Sequence, residues 1–183
     1  MSEKNAMRLT EPRITPLPPS AWSGEQPLNN IGRTLLRRPE AFAAMGAWTK
    51  YVMTEGSLPP RQREIVILRI GFLCRSGYEW AQHAVMGVAA GLTPEEVERV
   101  KLGAAAAGWS EPDAVLIRMT DELHADQFVS DATWAAMMRV FSEAQRMDAV
   151  FAASQYAQLS MILNTFGVQL DEGLTLDPDL EAY

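Results

Sequence analysis

Glu79 and His83 lie four residues apart in the segment Ser76-Gly-Tyr-Glu-Trp-Ala-Gln-His83. On an α-helix this spacing stacks the two side chains on one face, so a carboxylate can meet an imidazole directly. Such a pair can move protons near neutral pH, because histidine is the side chain whose ordinary pKa falls there. His83 is one of only two histidines, and an apolar stretch just before it carries a further acid, Glu64. Ser76 and Tyr78 add hydroxyls that could donate to developing negative charge. Together these residues form acid/base equipment. The competing readings are a satisfied polar network that only fixes helix packing, and a metal site completed by Glu64 or His124. The metal reading lacks a second clear histidine ligand in the motif, and the reading preferred here has no metal and no cofactor.

The rest of the chain must position these groups. With 183 residues and 48% hydrophobic content it can build one sizeable core. A net charge of −7 leaves no basic stripe for phosphates, which argues against nucleic acid and against an anionic membrane surface. The single cysteine, Cys74, cannot form an intramolecular disulfide and fits a reducing compartment. No apolar run approaches the ~20 residues a spanning helix needs. The expectation is a soluble, cytoplasmic protein acting on a small molecule.

Pro12, Pro16, Pro18, Pro19 and Pro27 make residues 1–27 an extended arm, docked on the body or on a neighbouring subunit. The helical body is expected over 28–170, with a tail at 171–183. Its helices read as Leu28–Arg38, Pro39–Thr54, one opening at Pro60, and Tyr78–Ala90 closed by Gly91. Ile65 through Leu73 runs nearly unbroken in apolar residues. That run could also be a buried strand, but its length and helical neighbours favour a central helix. Thr93-Pro-Glu-Glu96 is a capping box opening a helix through Ala107. Further helices are expected over Ser110–Ala125, from Ser130 to near Ala144, and over Asp148–Phe166. The fold class is therefore all-α, a multi-helix bundle with an extended Pro-rich N-terminal arm.

Three blocks carry a family resemblance: Arg63-Glu-Ile-Val-Ile-Leu-Arg69, Cys74-Arg-Ser-Gly-Tyr-Glu-Trp-Ala-Gln-His83 and Ala90-Gly-Leu-Thr-Pro-Glu-Glu96. They resemble the carboxymuconolactone decarboxylase superfamily, which includes the alkylhydroperoxidase D-like proteins, and within it the decarboxylase-like branch. The resemblance implies an all-helical fold assembled as a homo-oligomer, a trimer or hexamer, with a dimer as the smaller alternative. In the peroxidase branch the pattern is Glu, then Cys-x-x-Cys, then His. The glutamate falls on Glu64, the histidine on His83, and the two cysteines on Ser76 and Glu79. Disulfide redox chemistry needs one thiolate to attack and a second thiol to resolve the intermediate. Neither position has sulfur.

The substrate class that the resemblance implies is a small carboxylated lactone or a related product of aromatic ring cleavage. A lyase or isomerase would use His83 as general acid, polarised by Glu79 or Glu64, with Tyr78 or Ser76 donating to the oxyanion. The alternatives are a peroxiredoxin-type protein working through Cys74 and a noncatalytic small-molecule binding module. Around the catalytic set, Trp80 and Trp134 could wall a pocket or fill the core. Arg69 could receive a substrate carboxylate or pair with Glu64. His124 could join His83 or interact with the end of its own helix. Tyr156 and Asn164 share one face of the last helix, as pocket groups or as interhelical pins.

Overall fold

The computed structural model describes residues 9–25 and 27–180. Among these residues there are eight α-helices and no strand. In chain order they are α1 (Asn30–Leu35), α2 (Pro39–Lys50), α3 (Pro60–Leu73), α4 (Gly77–Ala89), α5 (Pro94–Val100), α6 (Glu111–Asp126), α7 (Asp131–Val140) and α8 (Glu143–Phe166). No helix among them is long and apolar enough to cross a membrane.

Helix α3 is the hub, packing on α4, α5, α6 and α8. Every residue from Glu64 to Gly71 is buried. Val66, Ile67 and Ile70 enter one core with residues of α6, α7 and α8, including Leu116, Met137 and Ala152. Ile65 and Leu68 enter a second core with Trp80, Leu92, Val100 and Ile117. A helix lying between two cores must be apolar on several sides, which explains the strand-like density of Ile and Val in this segment.

The turn from α3 to α4 sets the geometry that matters most. Arg75 adopts a left-handed backbone, with φ of 50°. The Ser76 amide donates to Gly71 O and the Arg75 amide to Phe72 O, both at 2.9 Å. These two bonds form a Schellman closure, and α4 then runs back antiparallel along α3. Glycines keep the two helices close. A Cβ on Gly71 would lie 3.4 Å from Glu79 Cγ, and one on Gly87 would lie 3.2 Å from Leu68 Cδ1 and 3.8 Å from Glu64 Cβ.

Several boundaries differ from the sequence expectation. The first helix is shorter than Leu28–Arg38, because the Asn29 side chain caps it by accepting from Gly32 N. The end of α2 widens into a π-helical turn over Tyr51–Glu55. The adjoining loop is anchored to α8, where Asp148 accepts from Tyr51 Oη at 2.8 Å and from the Ser57 amide at 2.6 Å. Helix α5 stops at Val100 rather than Ala107. Arg69 Nη1 donates to Val100 O and Lys101 O at 2.9 Å, taking carbonyls that would otherwise continue the helix. Gly103 then turns left-handed, with φ of 82°. Helix α7 ends at Val140 because Phe141 turns extended and is buried. Ser142 then opens α8 with a capping box to Gln145, five residues earlier than the expected start at Asp148.

The described part of the arm lies on the body. Arg13 and Ile14 amides donate to Phe166 O, and Arg33 exchanges hydrogen bonds with the Leu17 backbone. The tail is tied down just as firmly. Asp171 accepts from Tyr78 Oη at 2.5 Å, from Gln82 at 2.6 Å and from the Asn30 amide at 2.7 Å. Leu176 and Leu180 complete the second core.

Arg69 thus joins three elements, since its Nε also donates to Asp121 of α6 at 2.5 Å. Its side chain is spent on structure, and the expected pairing with Glu64 does not form. We predict that Arg69→Leu lowers stability by roughly 2–4 kcal/mol, as removing one partner of a largely buried ion pair does. Urea melts followed by circular dichroism measure the loss.

Candidate functional site

His83 stands between two carboxylates. Its Nδ1 lies 2.6 Å from Glu64 Oε2 across the α3–α4 interface. Its Nε2 lies 3.0 Å from Glu79 Oε1, one turn back on its own helix. All three side chains are buried, Glu64 being 1% exposed and the other two 6%. With a glutamate facing each nitrogen, an imidazolium donates to both at once. Burial opposes that charge, but the hydrogen bonds and charges of Glu64 and Glu79 outweigh it and raise the His83 pKa to about 9. At neutral pH His83 therefore keeps its proton between the two glutamates and is a proton donor at rest.

Two further groups complete the neighbourhood. The Tyr156 ring of α8 meets the His83 ring edge-on at 4.9 Å, and its hydroxyl donates to Met53 Sδ at 2.9 Å. Burial, then the charges of Glu79 and Glu64, push the Tyr156 pKa up, so it stays a neutral donor. Met53 sits in the π-helical turn after α2, which places this turn beside the triad. The second group is Arg63, whose Nη2 lies 3.4 Å from Glu64 Oε1. The sequence reading passed over Arg63, although its place directly before Glu64 was the available signal.

The remaining site expectations separate. Ser76 is fully buried, and its Oγ has no hydrogen-bond partner among the described residues. It precedes α4 and lies on the same face as Glu79 and His83. Tyr78, by contrast, belongs to the tail lock described above. Burial and the hydrogen bond to Asp171 raise its pKa, and its hydroxyl is committed to that carboxylate. Trp80 is 2% exposed and packs on Phe72 in the second core. Trp134 is half-exposed, with the Arg146 guanidinium over its ring. His124 is exposed in the last turn of α6, outside the buried triad. Asn164 donates to Cys74 O at 2.9 Å, pinning the α3–α4 turn to α8, and lines a cavity of about 410 Å³ with Leu9, Arg13 and Thr165.

Cys74 closes α3 and is half-buried. Burial raises its thiol pKa and the Glu79 charge adds to this, while the neighbouring Ser160 hydroxyl pulls the other way. A thiol held protonated is a poor nucleophile. Among the described residues no group of three or more His, Cys, Asp or Glu side chains is arranged to hold a metal ion. In the triad both imidazole nitrogens already face carboxylates.

Residues 39–121 match the carboxymuconolactone decarboxylase family, a span that includes the whole triad and the turn that builds it. The same helical architecture occurs in a protein of unknown function from Agrobacterium tumefaciens described as a putative antioxidant defence protein AhpD. That protein has 19% identity and a TM-score of 0.70, with 75% of this chain and 94% of that one covered. An uncharacterized peroxidase-related protein from Silicibacter sp. TM1040 has 14% identity and a TM-score of 0.72, covering 93% and 94%. The debrominase Bmp8, in its complex with 2,3,4-tribromopyrrole, has 11% identity and a TM-score of 0.75, covering 87% and 91%. No curated protein matches the chain. Over residues 39–121 the chain is similar to the carboxymuconolactone decarboxylase family, and it shares its helical fold with alkylhydroperoxidase D-like structures.

The raised His83 pKa links protonation to stability. Its contribution is fully present below the unfolded value near 6.5 and is lost as pH rises through about 9. The expected loss is roughly 3 kcal/mol at 1.36 kcal/mol per pKa unit. Urea midpoints taken between these two pH values should fall for the wild type, and His83→Gln should flatten that part of the profile. An imidazole NMR resonance titrating near its ordinary value would contradict the triad.

Proposed function

We propose that the chain is a lyase or isomerase acting on a small carboxylated lactone or a related product of aromatic catabolism, by acid/base chemistry at His83. The observation that carries this reading is the imidazolium held between Glu64 and Glu79, with serine and glutamate where thiol chemistry would need two cysteines. The family match adds the substrate class, and the half-buried, protonated Cys74 weighs against a thiol peroxidase.

In the decarboxylation, the bond to the departing carboxylate breaks and its electron pair enters the conjugated ring carbonyl, releasing CO2 and leaving a dienolate. The Nε2 proton of His83 passes to carbon, and neutral His83 is reprotonated from solvent. Glu79 and Glu64 hold the ring in place and favour its charged form before the transfer. Tyr156 Oη, now bonded only to a weak thioether acceptor, supplies a hydrogen bond to the dienolate oxygen. The Tyr78 hydroxyl is committed to Asp171 and is not free for that role. Homo-oligomeric assembly belongs to the same proposal, supported by Val85, Met86 and Val88 exposed on α4.

His83→Gln should lower kcat on a carboxylated lactone by about 10²–10⁴-fold, the range of a lost general acid, while the far-ultraviolet spectrum stays unchanged. A general acid must be protonated, so wild-type turnover should fall as pH rises past about 9. Cys74→Ser should leave lactone turnover intact. Hydroperoxide reduction that depends on added thiol and vanishes in Cys74→Ser would replace this reading with the peroxidase one.

A further inference from the structure

The charges around His83 pose a problem for any anionic substrate. The triad sets two glutamates around one imidazole, an arrangement unfavourable to an approaching carboxylate. Arg63 is the cation that corrects this. It is in the second turn of α3, directly before Glu64, and its only hydrogen-bonding acceptor among the described residues is Glu64 Oε1, at a long 3.4 Å. Its Nε is buried with no hydrogen-bond partner among the described residues. A guanidinium presents five N–H donors in a planar fork suited to carboxylates, and leaving one buried and unpaired costs free energy unless something fills the gap. The other buried arginine of α3 differs sharply, since Arg69 is saturated by Asp121 and two carbonyls.

Access follows the same residue. The Arg63 side chain is 12% exposed, against 1% for Glu64 and 6% for Glu79 and His83. Of the four charged groups it lies nearest to solvent. Its charge is also felt at the Tyr156 hydroxyl, where it opposes the two glutamates. Arg63 is beside Glu64 and Tyr156 is beside His83, on different helices.

We propose that Arg63 is the anion receptor of this site: its guanidinium takes a carboxylate of the substrate, satisfying the orphaned Nε and seating the reacting ring beside His83. The substrate class follows as a small cyclic carboxylate, and neutral ring compounds are rejected because they leave the guanidinium unpaired. In a decarboxylation the substrate must then carry a second carboxylate, and the one that Arg63 holds is the one that keeps its charge through turnover. A guanidinium fixed on the departing group would stabilise the charge that must flow into the ring. Arg63 is in this sense a binding and specificity residue, and the proposal rests on the acid/base reading of the site while being tested by binding alone.

The test uses benzoate and its neutral isostere benzamide as probes, titrated calorimetrically into the full chain. Wild type should bind benzoate at least about tenfold more tightly than benzamide, a difference of about 1.4 kcal/mol. Arg63→Gln should erase that preference, Arg63→Lys should keep part of it, and Arg99→Gln on the surface should leave it unchanged. A merely structural Arg63 would weaken both probes together or neither. Equal binding of the two probes to wild type, or an unchanged preference in Arg63→Gln, overturns the proposal. If Arg63→Lys alone folds, a full wild-type preference in that variant overturns the fork-specific seating. The two readings fail separately. Lost charge preference in Arg63→Gln without lactone turnover by wild type removes the lyase and keeps the receptor. Turnover that depends on His83 with an unchanged probe preference in Arg63→Gln removes the receptor alone.

Discussion

The contact of His83 Nδ1 with Glu64 Oε2, across the interface of α3 and α4, is the constraint that the rest of this structure serves. An imidazolium this deeply buried is stable only if both N–H groups find acceptors and the compensating charges stay put. One carboxylate comes free with the helix, because Glu79 lies one turn before His83. The other must come from a different helix at the correct height. Everything from the left-handed Arg75 to the glycines at 71 and 87 sets that height. The Schellman closure reverses the chain in three residues, and the missing Cβ atoms let α4 lie close enough for a 2.6 Å contact.

The outer parts of the chain hold this pair of helices from three sides. Asn164 on α8 bonds the carbonyl of Cys74 at the turn itself. Asp171 gathers Tyr78, Gln82 and Asn30, so the tail clasps the first half of α4. Arg69 joins the C-terminal half of α3 to α5 and α6. These are polar ties with specific geometry, and two of them use residues whose chemistry would also suit a reacting site. A tyrosine or arginine within a few residues of a catalytic pair gives no sign in sequence of which use it has. Here the carboxylates that claim them, Asp171 and Asp121, are separated from them by 93 and 52 residues.

This distance explains what could and could not be read from the residues. Caps and breaks are local, so the helices opened by Thr93 and Ser110 and the one closed by Gly167 were legible from short segments. The end of α5 was not, because the agent that stops it is the side chain of Arg69 from another helix. The start of α8 was legible in principle from Ser142-x-x-Gln145, but the apolar Phe141 beside it masked the break. Within the site, Glu79 with His83 followed from helical spacing alone, and Glu64 from its position as an acid in an apolar run. Tyr156 and Arg63 needed the fold. Tyr156 reaches His83 only because α8 crosses α3 and α4, and Arg63 gains meaning only once Glu64 is seen to be occupied by the imidazole.

The same frame can host quite different chemistry, and the two positions that differ from the peroxidase pattern show how. A cysteine pair at 76 and 79 beside a histidine would use that imidazole to draw a proton from a thiol, which demands a neutral ring. Glutamate at 79 reverses the demand. It places a second carboxylate on the other ring nitrogen and raises the affinity of the ring for its proton without moving a helix. Serine at 76 leaves a small, buried, unpaired hydroxyl where the other sulfur would stand. On the proposed reading, the difference in chemistry lies in the charge on one imidazole. The helical scaffold constrains its position, and the residue at 79 sets its protonation state.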